Sequence, residues 1–114
     1  MSLERIIKTL EEFGLKRMDA EVYIYIAKKG PQKGIDLADA LKIRKRQLYS
    51  ILKALQNKGI VIVCPEHPAL FSALAFEEAL DLLVEANVEQ AKAIEAAKEE
   101  LLSSWRDMNK RDNT

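Results

Sequence analysis

From Phe76 to about Met108 the chain contains neither glycine nor proline, and Glu, Ala, Leu and Lys dominate. These residues form helix readily, so the stretch predicts one continuous helix. At 1.5 Å per residue, roughly 33 residues make a rod near 50 Å long. The whole chain has 114 residues, room for one domain and one appended element. The expected division is a folded head over 1–75, a dimerisation helix over 76–110 and a frayed tail over 111–114.

The rod carries a seam. Leu80, Asn87, Ile94, Leu101 and Met108 recur every seven residues. Leu83 and Ala97 extend the seam, and Val84, Ala91 and Trp105 widen its flank, whereas Gln90 and Ser104 are weak positions within it. The first two turns can fold back on the head. A stripe of the full length is too long for about 75 residues to cover, which predicts a homodimer through Leu80, Leu83, Asn87, Ala91, Ile94, Leu101, Trp105 and Met108. Parallel and antiparallel pairing both fit, and Trp105 and Met108 could also pack on the partner's head.

The head reads as short helices and a ribbon. Ile6, Ile7, Leu10 and Phe13 mark a first helix, stopped by Gly14. Val22, Tyr23, Ile26 and Ala27 mark a second, with Asp19 at its start as a cap or a dipole partner and Gly30-Pro31 at its end. Tyr23 to Ile26 would also suit a strand; the flanking Ala, Glu and Lys favour helix. Ile35, Leu37, Ala38 and Leu41 mark a third helix. After a turn at Lys42 to Arg44, Leu48, Ile51, Leu52 and Leu55 mark a fourth, ending at Gly59. Ile60 to Cys64 and Ala69 to Ala73 can pair across the Pro65-Glu66-His67-Pro68 turn.

Charge is balanced overall, with 18 basic and 18 acidic side chains, but it is unevenly placed. Residues 28–58 hold nine basic and two acidic side chains, a net +7, and residues 76–102 sum to −6. Between Lys42 and Lys58 there are six basic residues and no acidic one. A local patch binds phosphate whatever the total, because screening confines the interaction to about 10 Å.

A third helix, a turn, a fourth helix and a ribbon make a winged helix-turn-helix. The second helix of such a motif buries one face and presents the other to a DNA major groove about 12 Å wide. Here Lys45, Arg46, Tyr49, Ser50, Lys53 and Asn57 fall mainly opposite the apolar stripe. Arg44, Lys45 and Arg46 crowd the helix start, where the macrodipole disfavours cations by about 0.3–1 kcal/mol each. A phosphate or a guanine edge removes that conflict; a merely solvated basic face does not explain it. The expected DNA contacts are Lys33, Lys42, Arg44, Lys45, Arg46, Tyr49, Ser50, Lys53 and Lys58. For Tyr49, packing is the competing role.

The run Gly14-Leu15, Asp19-Ala20-Glu21-Val22-Tyr23, Lys29-Gly30-Pro31, Asp36-Leu37-Ala38 and Leu48 through Val61 resembles the DNA-binding domain of the TrmB family of archaeal transcription regulators. The resemblance covers about residues 10–80. It implies a winged helix, double-stranded DNA as partner and a recognition helix starting at Arg44 to Tyr49. Where the family wing often carries Arg-Tyr-Arg-Ala, this chain has Leu70-Phe71-Ser72-Ala73, leaving His67 as the one wing side chain able to carry positive charge. Longer members carry a C-terminal sugar-binding domain; none is expected in this chain.

The expected fold is therefore mainly α with a small β-ribbon: a winged helix-turn-helix followed by a long C-terminal helix in a dimeric coiled coil. The expected function is a homodimeric DNA-binding transcriptional regulator. An architectural chromatin protein with little sequence preference and a winged-helix protein-assembly module remain alternatives. No cofactor, metal or enzymatic role is expected. There is one Cys and one His, Cys64 and His67, and no Gly-rich phosphate loop or Ser-His-Asp set. The apolar run from Ile60 to Cys64 is far too short for a membrane span, and a cytoplasmic location is expected.

Overall fold

Residues 3–112 are described by a computed structural model. The elements are α1 (Leu3–Glu12), α2 (Arg17–Lys29), β1 (Gln32–Lys33), α3 (Gly34–Leu41), α4 (Lys45–Asn57), β2 (Val61–Cys64), β3 (Leu70–Ala73) and α5 (Phe76–Asp112). The tail expected to fray from 111 is helical through Asp112, and residues 113–114 lie outside the described ones.

The ends of α1 and α4 follow one device. At the end of α1, Leu15 N–H donates to Leu10 O (3.1 Å) and Gly14 N–H to Glu11 O (3.0 Å). At the end of α4, Ile60 N–H donates to Leu55 O (3.1 Å) and Gly59 N–H to Gln56 O (2.9 Å). This pairing satisfies two orphan carbonyls but requires a left-handed residue between them, and Gly14 (φ 98°) and Gly59 (φ 80°) supply it. In both turns the apolar residue after the glycine is buried beside the helix it has just left: Leu15 with Leu10, Ile60 with Leu55.

These corners deliver one core. Ile7 and Leu10 of α1 and Val22, Tyr23 and Ile26 of α2 meet Leu37 of α3 and Leu48, Ile51, Leu52 and Leu55 of α4, all buried. Full burial of each large apolar side chain stabilises by about 1.5–3 kcal/mol. Phe71 of β3 closes the layer from the sheet. Ala79 and Leu83 also lie in this core, so the head extends through Val84 and includes the first turns of α5. Residues from 85 onward form the second unit.

The structure settles three details. The ribbon is a three-stranded antiparallel sheet in the order β1-β3-β2, with Gln32 opposite Phe71 and Lys33 opposite Leu70. Asp19 does not cap α2. The chain re-enters helix at once after the Gly14 corner, so Lys16 is the capping residue, without a side-chain bond, and Asp19 sits buried in the first turn. There its carboxylate complements the positive end of the helix dipole. The Tyr23–Ile26 segment is helical, its strand-like composition overridden by packing on α4.

Two polar links tie the head together. Arg17 makes a two-pronged pair with Glu4 (2.8 and 2.9 Å) and reaches Glu21 at 3.2 Å, clasping α1 to α2. The guanidinium holds the Glu4 carboxyl below its ordinary range. Tyr23 O–H donates to Leu74 O at 2.5 Å, joining α2 to the segment between β3 and α5. Burial raises the Tyr23 pKa, which keeps the phenol neutral as a donor. Tyr23→Phe leaves the Leu74 carbonyl without this partner and lowers unfolding free energy by about 1–3 kcal/mol. Urea denaturation checks this through a lower midpoint at an unchanged slope.

Candidate nucleic-acid interface

The interface is built on α3, its exit turn and α4. Leu48, Ile51, Leu52 and Leu55 bury one side of α4 and thereby fix which side faces out. At about 100° per residue, Arg46, Ser50, Lys53 and Asn57 lie within roughly 40° of the direction opposite that apolar stripe. Lys45 and Tyr49 occupy one flank of the helix, and Gln47 and Lys58 the other.

All nine residues expected to contact DNA are exposed. Lys33 precedes α3 as its capping residue, and Lys42 ends α3. Arg44 caps α4 in extended conformation, and Lys45 and Arg46 are the first two helical residues. No side chain caps this helix, and its first turn carries no acid. Among the described residues, the ion pairs gather on Arg17, Glu4, Glu11, Glu21, Glu89 and Lys92, and none engages a cation between Lys28 and Lys58. The helix start therefore combines uncapped N–H groups, unpaired cations and no local counter-charge. An anion from outside the chain satisfies all three.

The turn between the two helices is set by Lys42, the one described non-glycine residue with positive φ (54°, ψ 44°). Ile43 N–H donates to Ala38 O at 3.1 Å, the same closure used after Gly14 and Gly59. A lysine in this conformation costs about 1–2 kcal/mol that glycine avoids, and glycine's greater chain entropy returns part of that. Lys42→Gly therefore raises stability by about 0.5–1 kcal/mol. A thermal or urea melt reads this as a higher midpoint, and an unchanged or lower one would show that the turn is unstrained.

Tyr49 is fixed by its own head. Its ring meets Phe71 edge-on, with centroids 6.1 Å apart and planes at 65°. Its hydroxyl end lies against Gly34, where an added Cβ would collide with it. The residue is still 47% exposed, so packing sets its position without covering it.

Two exposed polar residues on α4 lie outside the expected contact set. Asn57 belongs to the outward stripe. Gln47 is exposed, and its Nε2 donates to Met18 Sδ at 3.4 Å. Their signal in the sequence is angular position on the helix alone, since neither adds charge.

On α5, Leu83 lies in the head's core and Leu80 packs against that core, so both serve the head rather than a free seam. Beyond them Ile94, Leu101, Trp105 and Met108 are each 57–59% exposed. Ala91 is exposed as well, and Asn87 is half-buried. Cys64 is a partly exposed free thiol on β2, and His67 lies exposed in the β2–β3 turn. Among the described residues no group of three or more His, Cys, Asp or Glu is placed to hold a metal ion. None of the helices there is long and apolar enough to cross a membrane.

Comparison with known proteins agrees with this architecture. Over 98 residues the chain is 28% identical to a Pyrococcus furiosus protein described as an HTH-type sugar sensing transcriptional regulator, TrmBL1. The alignment covers 86% of this chain and 29% of the relative. Among solved structures, that of TrmBL2, described as an archaeal chromatin protein, matches with a TM-score of 0.69 and 25% identity. That match spans 90% of this chain and 41% of the other. MepR, a transcription regulator of the Staphylococcus aureus multidrug efflux pump MepA, shares the fold at a TM-score of 0.55 and 15% identity, over 89% and 87% of the two chains. The family described as sugar-specific transcriptional regulator TrmB matches residues 10–77, more than half of the chain and the whole helix-turn-helix, and the chain belongs to the TrmB family.

Proposed function

We propose that this protein is a DNA-binding transcriptional regulator that acts as a homodimer. The carrying observation is the start of α4, where Arg44, Lys45 and Arg46 are exposed and no side chain caps the helix. With α4 in the major groove, Arg46, Ser50 and Lys53 approach base edges and adjacent phosphates. Lys33, Lys42, Arg44, Lys45 and Lys58 hold the backbone, and Tyr49 borders the groove from its fixed position. The apolar residues of α5 from Ile94 to Met108 supply the dimer contact. Two heads related by a two-fold axis then read half-sites about 34 Å apart, or a multiple of that.

The likeness to TrmBL2 favours a second reading, a chromatin protein with the same head and little base preference. Competition between a genomic site and bulk DNA at fixed salt separates the two. A regulator prefers its site by about 10³-fold or more. A ratio near one leaves the chromatin reading standing, and no duplex binding at low salt removes both.

A further inference from the structure

We propose that the groove between the α1–α2 corner and α4 seats one DNA backbone strand, gripped from its two walls by Lys16 and Lys58. This inference rests on the DNA reading above and adds a surface outside the helix-turn-helix.

A helix in the major groove has a phosphate strand along each flank. The two flanks of α4 differ. On one, Tyr49 packs on Phe71 and against Gly34, so the space beside the helix is filled by the head itself. On the other, a surface groove of ≈ 580 Å³ runs beside Gln47, Ser50 and Lys58, with Lys16 on its far wall. From Gln47 to Lys58 the helix advances about 16 Å, enough to follow several phosphates at about 3.4 Å of rise each.

The lining suits a backbone strand. Lys16 and Lys58 are exposed, and among the described residues neither takes part in an ion pair. Gln47 and Ser50 add neutral donors. Gly14 leaves the corner open, with no atom within 4 Å of where a Cβ would stand. The acid in the lining, Asp19, is only 7% exposed, so it offers little charge to a ligand in the groove. Arg17, also at the groove, is already held by Glu4 and Glu21.

The test is a salt titration of duplex binding. Each phosphate contact contributes about 0.9 to the slope of log affinity against log salt. Lys16→Ala is expected to lower that slope by about 0.9 and to weaken target and bulk DNA by the same factor, with an unchanged melting temperature. Lys28→Ala, on the separate cleft between α1 and α2, is expected to leave the slope unaltered. A Lys16→Ala slope equal to wild type, in a protein that Arg46→Ala weakens, overturns the groove and leaves the DNA reading intact. Loss at the target but not on bulk DNA also overturns it, because a backbone contact carries no sequence information. Wild-type protein that binds no duplex overturns the DNA reading itself.

Discussion

Replacing Lys45 and Arg46 together with alanine weakens duplex binding at least tenfold and leaves the melting temperature unchanged or slightly higher. The two signs follow from one location. Both side chains are exposed in the first turn of α4, next to N–H groups that no side chain caps. In the free protein they oppose the helix dipole at a cost of about 0.3–1 kcal/mol each, and alanine is the better helix former. In the complex proposed above they meet phosphates or base edges, and losing two such contacts forfeits at least the roughly 1.4 kcal/mol that tenfold represents. Electrophoretic mobility shift and differential scanning calorimetry on the same sample read both effects. Unaltered affinity would remove the recognition role of α4.

The dimer proposed above predicts that Leu101→Asp yields monomer, read by sedimentation equilibrium as a fall to the mass of one chain. Leu101 is 58% exposed in the single chain, and Ile94, Trp105 and Met108 are equally open. Covering side chains of this size stabilises by up to about 1.5–3 kcal/mol each. An aspartate in the seam adds the desolvation of a carboxylate, which no buried cation compensates. Since Leu101 belongs to the second unit and is not among the residues of the head's core, the head itself is expected to stay folded, and its melting transition reports that separately. A dimer that survives the substitution places the interface elsewhere. In the monomer, a palindromic site loses the gain from linking two heads, typically 10²–10⁴ in affinity.

The helix-turn-helix was legible because its signals are local. Leu48, Ile51, Leu52 and Leu55 repeat at helical spacing, and Gly14 and Gly59 sit where a left-handed residue ends a helix. The turn at Lys42 was legible as a break, but its conformation was not. No glycine marks it, and the left-handed lysine is held by the Ala38–Ile43 closure around it. β1 left no signal at all. Two polar residues after Gly30-Pro31 have no period to read, and Gln32 and Lys33 become strand only because β3 lies beside them. Leu83 fits the heptad as well as Leu101 does, yet one is buried in the head and the other exposed. The spacing of a stripe does not say which of its residues the chain itself will cover. The outward face of α4 followed from angles alone, whereas the groove beside it depends on where the α1–α2 corner comes to rest, a matter of tertiary packing.

The position of β1 bears on how such a head could be re-engineered. Lys33 pairs with Leu70 of β3 and in the same stroke caps α3, whose first residue, Gly34, lies against Tyr49 of α4. Transplanting α3 and α4 alone into another scaffold would cut this chain of supports and leave the reading helix unaimed. A working graft has to carry β1 and β3 along, together with the α2 face of Val22, Tyr23 and Ile26 that shares a core with α4.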